Sequence, residues 1–137
     1  MVEMNVTYDG SLACTVTHEP SGVALKTVPP VDNMGDGSSF SPTDLVGAAL
    51  ASCVLTTLAI VAQRNNIDVG RMTARVEKEM STVAPRRISR LPLVVRIPVD
   101  LPEEQRVRLE HAGHSCPVHK SLHPDVDAPI TFVWGQE

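Results

Sequence analysis

Between Leu45 and Gln63 nineteen consecutive residues carry no charge. Apolar side chains, among them Leu45, Val46, Leu50, Val54, Leu55, Leu58 and Val61, fall on nearly every face of the helix this stretch would form. A helix that is apolar all round is buried all round, in a large core or in a bilayer. The length just reaches a membrane span. Gly47, Ser52, Thr56, Thr57 and the many alanines nevertheless make it only mildly apolar for insertion, and the flanking amphipathic strands need a soluble core to pack on. The expectation is a central helix wrapped by sheet, with a second subunit as a further candidate for its cover, and with no membrane partner. Its start is marked by Ser41-Pro42-Thr43-Asp44, a capping box with Pro at the first helical position.

Around this helix the pattern is that of strands. Val2, Met4, Val6 and Tyr8 alternate with polar residues up to Asp9-Gly10, a hairpin signal. Leu12, Cys14 and Val16 continue the alternation, which puts Cys14 in a core, and a third strand follows near Val23–Val28. Residues 29–39, rich in Pro, Gly, Asp and Ser, read as a mobile loop. Beyond Asn65-Asn66 two long strands are expected, through Met72, Ala74 and Val76 and from Ile88 to Val99, joined near Ala84-Pro85-Arg86. Pro102-Glu103-Glu104 opens a helix ending near Ala112-Gly113, Cys116-Pro117 starts a short one, and Ile130 to Trp134 is a last strand. The order βββ-α-ββ-αα-β describes a single α+β domain over residues 1–137, built on antiparallel sheet with parallel crossovers largely absent.

Composition narrows the partners. A net charge of −4 and only four aromatic residues argue against nucleic acid. Three cysteines (Cys14, Cys53, Cys116) cannot pair completely and match no secreted scaffold, and the N-terminus lacks a signal stretch, so cytoplasmic residence is expected. No Walker loop, dinucleotide fingerprint, Gly-x-Ser-x-Gly elbow or HExxH motif appears, and no cofactor is expected.

In a reducing compartment the cysteines themselves are the candidate chemistry. Cys53 lies in the middle of the apolar helix and Cys116 directly before a Pro at a helix start, where backbone N–H groups, His119 and Lys120 favour a thiolate. Together they suggest a redox pair, one thiol oxidised by a peroxide to sulfenic acid and the other condensing with it before over-oxidation. The apolar walls around Cys53 suit an organic hydroperoxide better than hydrogen peroxide. A rival constellation gathers four of the five histidines: His111, His114, His119 and His123 surround Cys116, and His119 with His123 has the i,i+4 spacing of metal ligands. No zinc spacing is matched, and metal binding is the lesser expectation.

The block Ser41-Pro42-Thr43-Asp44-Leu45-Val46-Gly47-Ala48-Ala49-Leu50-Ala51-Ser52-Cys53, followed by Cys116-Pro117-Val118-His119-Lys120-Ser121-Leu122, resembles the OsmC/Ohr family. The resemblance implies an intertwined homodimer in which strands of both chains wrap two long helices. It also implies cysteine-dependent reduction of organic hydroperoxides in oxidative stress defence. Cys53 matches the peroxidatic and Cys116 the resolving cysteine, with a lipoyl or thioredoxin-like dithiol as reductant. Active members add an arginine from the N-terminal half and a glutamate two residues before the Leu of the helix motif. Thr43 occupies the glutamate position, with Asp44 beside it, and no arginine precedes Arg64. Lys26, Arg86, Arg87 or Arg90 are the basic candidates to replace it. On an unbroken helix Asp44 and Cys53 lie about 13.5 Å apart on opposite faces. The alternative function is a catalytically weak relative that binds a small apolar ligand or a sulfur species in the same pocket.

Overall fold

The computed structural model describes residues 1–135. Their contacts divide into two compact units, one over Met1–Val46 and one over the described residues from Gly47 onward.

The first unit is a three-stranded antiparallel sheet in the order β1-β2-β3, with β1 Met4–Gly10, β2 Ala13–His18 and β3 Ala24–Thr27. The hairpin turns two residues later than the Asp9-Gly10 signal predicts. Ser11 and Leu12 both take left-handed backbone (φ 54° and 66°), the conformation whose twist matches the strands it joins. Ala13, Thr27 and Val28 are buried, whereas Met4, Val6, Tyr8, Leu12 and Leu25 are exposed and Cys14 is half-buried. The expected core position of Cys14 is therefore only partly enclosed. Residues 29–39 contain one 3-10 turn, Val31–Asn33. The capping box forms as its spacing requires: the Asp44 N–H donates to Ser41 Oγ (3.0 Å) and the Ser41 N–H to Asp44 Oδ2 (2.8 Å).

That box starts α1, Pro42–Arg64, which runs unbroken. It buries a single stripe, Gly47, Leu50, Val54, Leu58 and Ala62, rather than its whole circumference. On the opposite side Ala49, Ser52, Thr56, Ala59 and Ile60 are exposed. α1 is long and apolar enough to cross a membrane, but the core helix of a soluble protein has the same character.

In the second unit the buried stripe faces a sheet. The two long strands expected from the sequence are each interrupted, giving β4 Thr73–Val76, β5 Glu79–Met80, β6 Ile88–Arg90 and β7 Leu93–Ile97. Pro92 lacks an N–H to continue the ladder and separates β6 from β7, while its carbonyl accepts from the Glu77 N–H (3.1 Å). β5 and β6 pair apart from the main sheet β4-β7-β8, where β8 is Ile130–Trp134. The fold is α+β, but β7 and β8 pair in parallel, so the sheet is mixed. The connection between them carries α2 (Glu103–His114) and α3 (Pro117–Ser121), as a parallel pair requires.

Leu50, Val54, Leu58, Leu91, Leu93, Val95, Ile97 and Leu109 are all at most 1% exposed. Each such side chain contributes about 1.5–3 kcal/mol by leaving water. At Gly47 α1 packs against Leu91 and Val76 at ordinary contact distance, a Cβ there standing 3.5 Å from Leu91 and 3.7 Å from Val76. At the other end of the helix, Arg108 of α2 donates to Asn65 Oδ1 (2.7 Å).

Candidate active site

Two neighbouring contacts decide where the cysteines lie. α2 ends against α1 and β8 through Gly113, where a Cβ would meet Phe132 Cζ at 3.0 Å, Phe132 Cε1 at 3.3 Å and Val54 Cγ1 at 3.6 Å. Val54 follows Cys53 in α1, and Gly113 precedes Cys116 by three residues. The Phe132 ring leaves no free room for a side chain at Gly113, and the Val54 contact sets the end of α2 beside α1, which carries Cys116 toward Cys53.

Cys116 is the N-cap of α3 and is wholly buried. Its Sγ accepts the His119 N–H at 3.3 Å. Cys53 is half-buried. At 100° per residue it falls between Leu50 of the buried stripe and Ile60 of the exposed one. One thiol thus faces the margin of the core and the other lies inside it. Cys53 is near enough to act on the Cys116 thiol. Burial pushes the Cys116 thiol up from its ordinary value, the His119 N–H opposes that, and Cys53 raises it again by direct side-chain interaction and by charge. The thiolate at Cys116 expected from its helix-start position is therefore disfavoured, because desolvation outweighs the backbone donors.

The supporting residues lie elsewhere. Thr43 and Asp44 are in the first turn of α1, the Asp44 carboxylate accepting from Ser41 and the Thr43 hydroxyl 3.1 Å from Ser41 Oγ. Because α1 is unbroken, Asp44 remains about 13.5 Å from Cys53 along the axis. Two of the basic candidates are committed. Arg90 pairs with Glu79 (3.0 Å) and Asp127 (3.1 Å), which hold it protonated more firmly than usual. Arg87 donates to the carbonyls of Ile88 (2.9 Å) and Asp125 (3.3 Å).

The histidines do not converge. His119 Nε2 is 3.2 Å from the Ala128 carbonyl, and its ring meets that of His114 edge-on at 6.2 Å. His123 Nδ1 accepts the Asp125 N–H (3.0 Å) and His111 is exposed. Among the described residues no three His, Cys, Asp or Glu side chains come together as a metal site. The Gly113 contact and the His119 bond to Ala128 were missed by sequence reasoning. Gly113 reads there only as a helix break, and nothing local points from residue 119 to residue 128.

The profile of OsmC-like proteins matches residues 35–130. A solved structure from Psychrobacter arcticus, described as a candidate osmotic stress induced and detoxification response protein, is 37% identical with a TM-score of 0.90, covering 96% of both chains. An organic hydroperoxide resistance protein OsmC from Legionella pneumophila shares 18% identity at TM-score 0.79 over 97% of this chain and 96% of that one. The organic hydroperoxide resistance protein OhrB of Bacillus subtilis shares 21% at TM-score 0.72 over 96% and 97%. Among curated protein sequences there is no match.

Proposed function

Because this chain belongs to the OsmC-like protein family, we propose that it has a redox, stress-related role and reduces organic hydroperoxides through Cys53, with Cys116 as the resolving cysteine. The observation that carries the reading is the pairing of a half-buried Cys53 with a fully buried Cys116 whose thiol it is close enough to perturb. Similar structures named for organic hydroperoxide resistance support the same chemistry.

In the proposed cycle the Cys53 thiolate attacks one peroxide oxygen, the O–O bond breaks, and the alcohol leaves with a proton. Cys53 is then a sulfenic acid. The Cys116 sulfur attacks it, the S–O bond breaks as the S–S bond forms, and the thiol proton leaves with the hydroxyl as water. A lipoyl or thioredoxin-like dithiol returns both cysteines to thiols and is itself oxidised to a disulfide. A resolving thiol that stays neutral until needed does not compete for the peroxide, because the thiolate is the nucleophile. Leu50, Val54 and their neighbours make the surroundings of Cys53 apolar, which favours an organic substrate.

The proposal includes a homodimer. The uncharged exposed stripe of α1 (Ala49, Ser52, Thr56, Ala59, Ile60) and the exposed apolar residues Met4, Val6 and Tyr8 of the first sheet are surfaces that a second copy would cover. It also includes cytoplasmic residence, where thiols are kept reduced.

The test is consumption of cumene hydroperoxide with dihydrolipoamide as donor, by the wild type, Cys53→Ser and Cys116→Ser. Turnover that vanishes in Cys53→Ser and stalls after one equivalent in Cys116→Ser supports the reading. A Cys53 thiol that remains intact over minutes in excess hydroperoxide contradicts it.

A further inference from the structure

α3 is a helix of five residues, none of them buried. So short a helix is not stable by itself, yet it begins at the cysteine whose placement the proposed reaction depends on. Besides the backbone bonds of Cys116 to Gly113 and Lys120 and the Ser121 hydroxyl bond to Pro117, a set of side-chain and ring contacts toward the neighbouring elements converges on His119. The His119 backbone N–H donates to Cys116 Sγ at 3.3 Å. Its ring Nε2 lies 3.2 Å from the Ala128 carbonyl, in the segment leading into β8. A carbonyl only accepts, so Nε2 carries the hydrogen. The same ring stands edge-on to His114, the last residue of α2, with planes 89° apart. His114 in turn meets Phe132 of β8 edge-on at 5.9 Å. The Cys116 turn is thereby braced from both sides, toward the end of α2 and toward the start of β8.

We propose that His119 is a positioning residue that holds Cys116 where it can close onto oxidised Cys53. The inference rests on the cysteine-pair reading above and concerns its second step alone, in which the Cys53 S–O bond is exchanged for the S–S bond and water leaves. Disulfide formation demands a narrow range of Cα separation and side-chain direction. A turn released from Ala128 samples that range less often, leaving the sulfenic acid open to further oxidation. The first step does not involve His119.

The test uses the full reduced chain, mixed with cumene hydroperoxide and quenched at intervals with an alkylating reagent. Mass spectrometry then follows loss of the Cys53 thiol, appearance of the Cys53–Cys116 disulfide and formation of Cys53 sulfinic acid. His119→Leu removes the ring donor, and His119→Gln keeps an N–H able to reach the Ala128 carbonyl. In His119→Leu, Cys53 oxidation is expected at close to the wild-type rate. Disulfide closure is expected to slow by about 10- to 100-fold, with sulfinic acid accumulating, and His119→Gln is expected to recover most of the closure rate. Should His119→Leu not fold, His119→Asn, whose amide stops short of Ala128, replaces it in the comparison with His119→Gln. Closure at the wild-type rate in the Leu or Asn variant overturns the proposal and leaves the cysteine-pair reading standing. So does equal slowing of both steps with no rescue by Gln. A wild-type chain that oxidises at Cys53 but forms no disulfide overturns both.

Discussion

Replacing Gly113 by Ala perturbs the approach that brings the cysteines together, and its cost follows from the geometry. The new methyl would sit 3.0 Å from Phe132 Cζ and 3.3 Å from Cε1, with Val54 Cγ1 at an ordinary contact distance of 3.6 Å. The Phe132 ring has to yield by a few tenths of an ångström while it is also packed against His114. Overpacking of this kind costs about 1–3 kcal/mol. Removing a helical glycine returns up to about 1 kcal/mol, and less this near a helix end. The net expectation is a loss of about 0.5–2 kcal/mol, which lowers Tm by about 2–8 °C in a domain of this size. Because the methyl presses the end of α2, three residues before Cys116, away from Phe132 of β8, Cys53–Cys116 disulfide closure is expected to slow in the same variant. Thermal melts of the reduced protein and timed thiol trapping after hydroperoxide measure the two effects. A Gly113→Ala protein that melts higher than wild type and closes its disulfide at the wild-type rate would refute the claim that this close approach positions the sulfurs.

Three further outcomes follow from the same residues. Ser41→Ala removes the hydroxyl that accepts the Asp44 N–H and is expected to cost about 0.5–2 kcal/mol in urea unfolding. Leu50→Ala, at a position with no exposure, is expected to cost about 2–5 kcal/mol, read in the same experiment. Burial raises the Cys116 pKa, so folding favours the protonated thiol. That advantage is whole below the ordinary thiol pKa of about 8.5 and is lost as the pH rises through the higher folded value, where the unfolded chain has already ionised. Unfolding of the reduced protein at about pH 7 and about pH 10 is expected to show an alkaline loss of stability that Cys116→Ser diminishes.

Much of this architecture could be read from local pattern. The capping box at Ser41, the uncharged run through Gln63 and the alternation in the N-terminal strands each act within a few residues, so their consequences are visible in the sequence. The parallel pairing of β7 with β8 was not visible, because it joins Leu93 to Ile130 through two helices and leaves no mark on either strand. Nor was the one-sided burial of α1: apolar residues around a whole helix tell how much surface wants cover, not which part of it this chain covers. For the site, the two cysteines could be singled out by type and setting, but their meeting depends on Gly113 against Val54, a contact between positions 59 residues apart. Helix-start logic gave the wrong sign for Cys116, since it weighs the backbone donors and omits the desolvation that only burial in the fold imposes.

The most direct measurement is peptide mapping, under non-reducing conditions, of the reduced protein after one equivalent of cumene hydroperoxide. Formation of a Cys53–Cys116 cross-link with loss of two hydrogens, at the expense of both thiols and with Cys14 still free, is the expected result. Recovery of Cys53 as an unmodified thiol, or its conversion to sulfinic acid while Cys116 stays reduced, would contradict the central claim that these two sulfurs work as a pair.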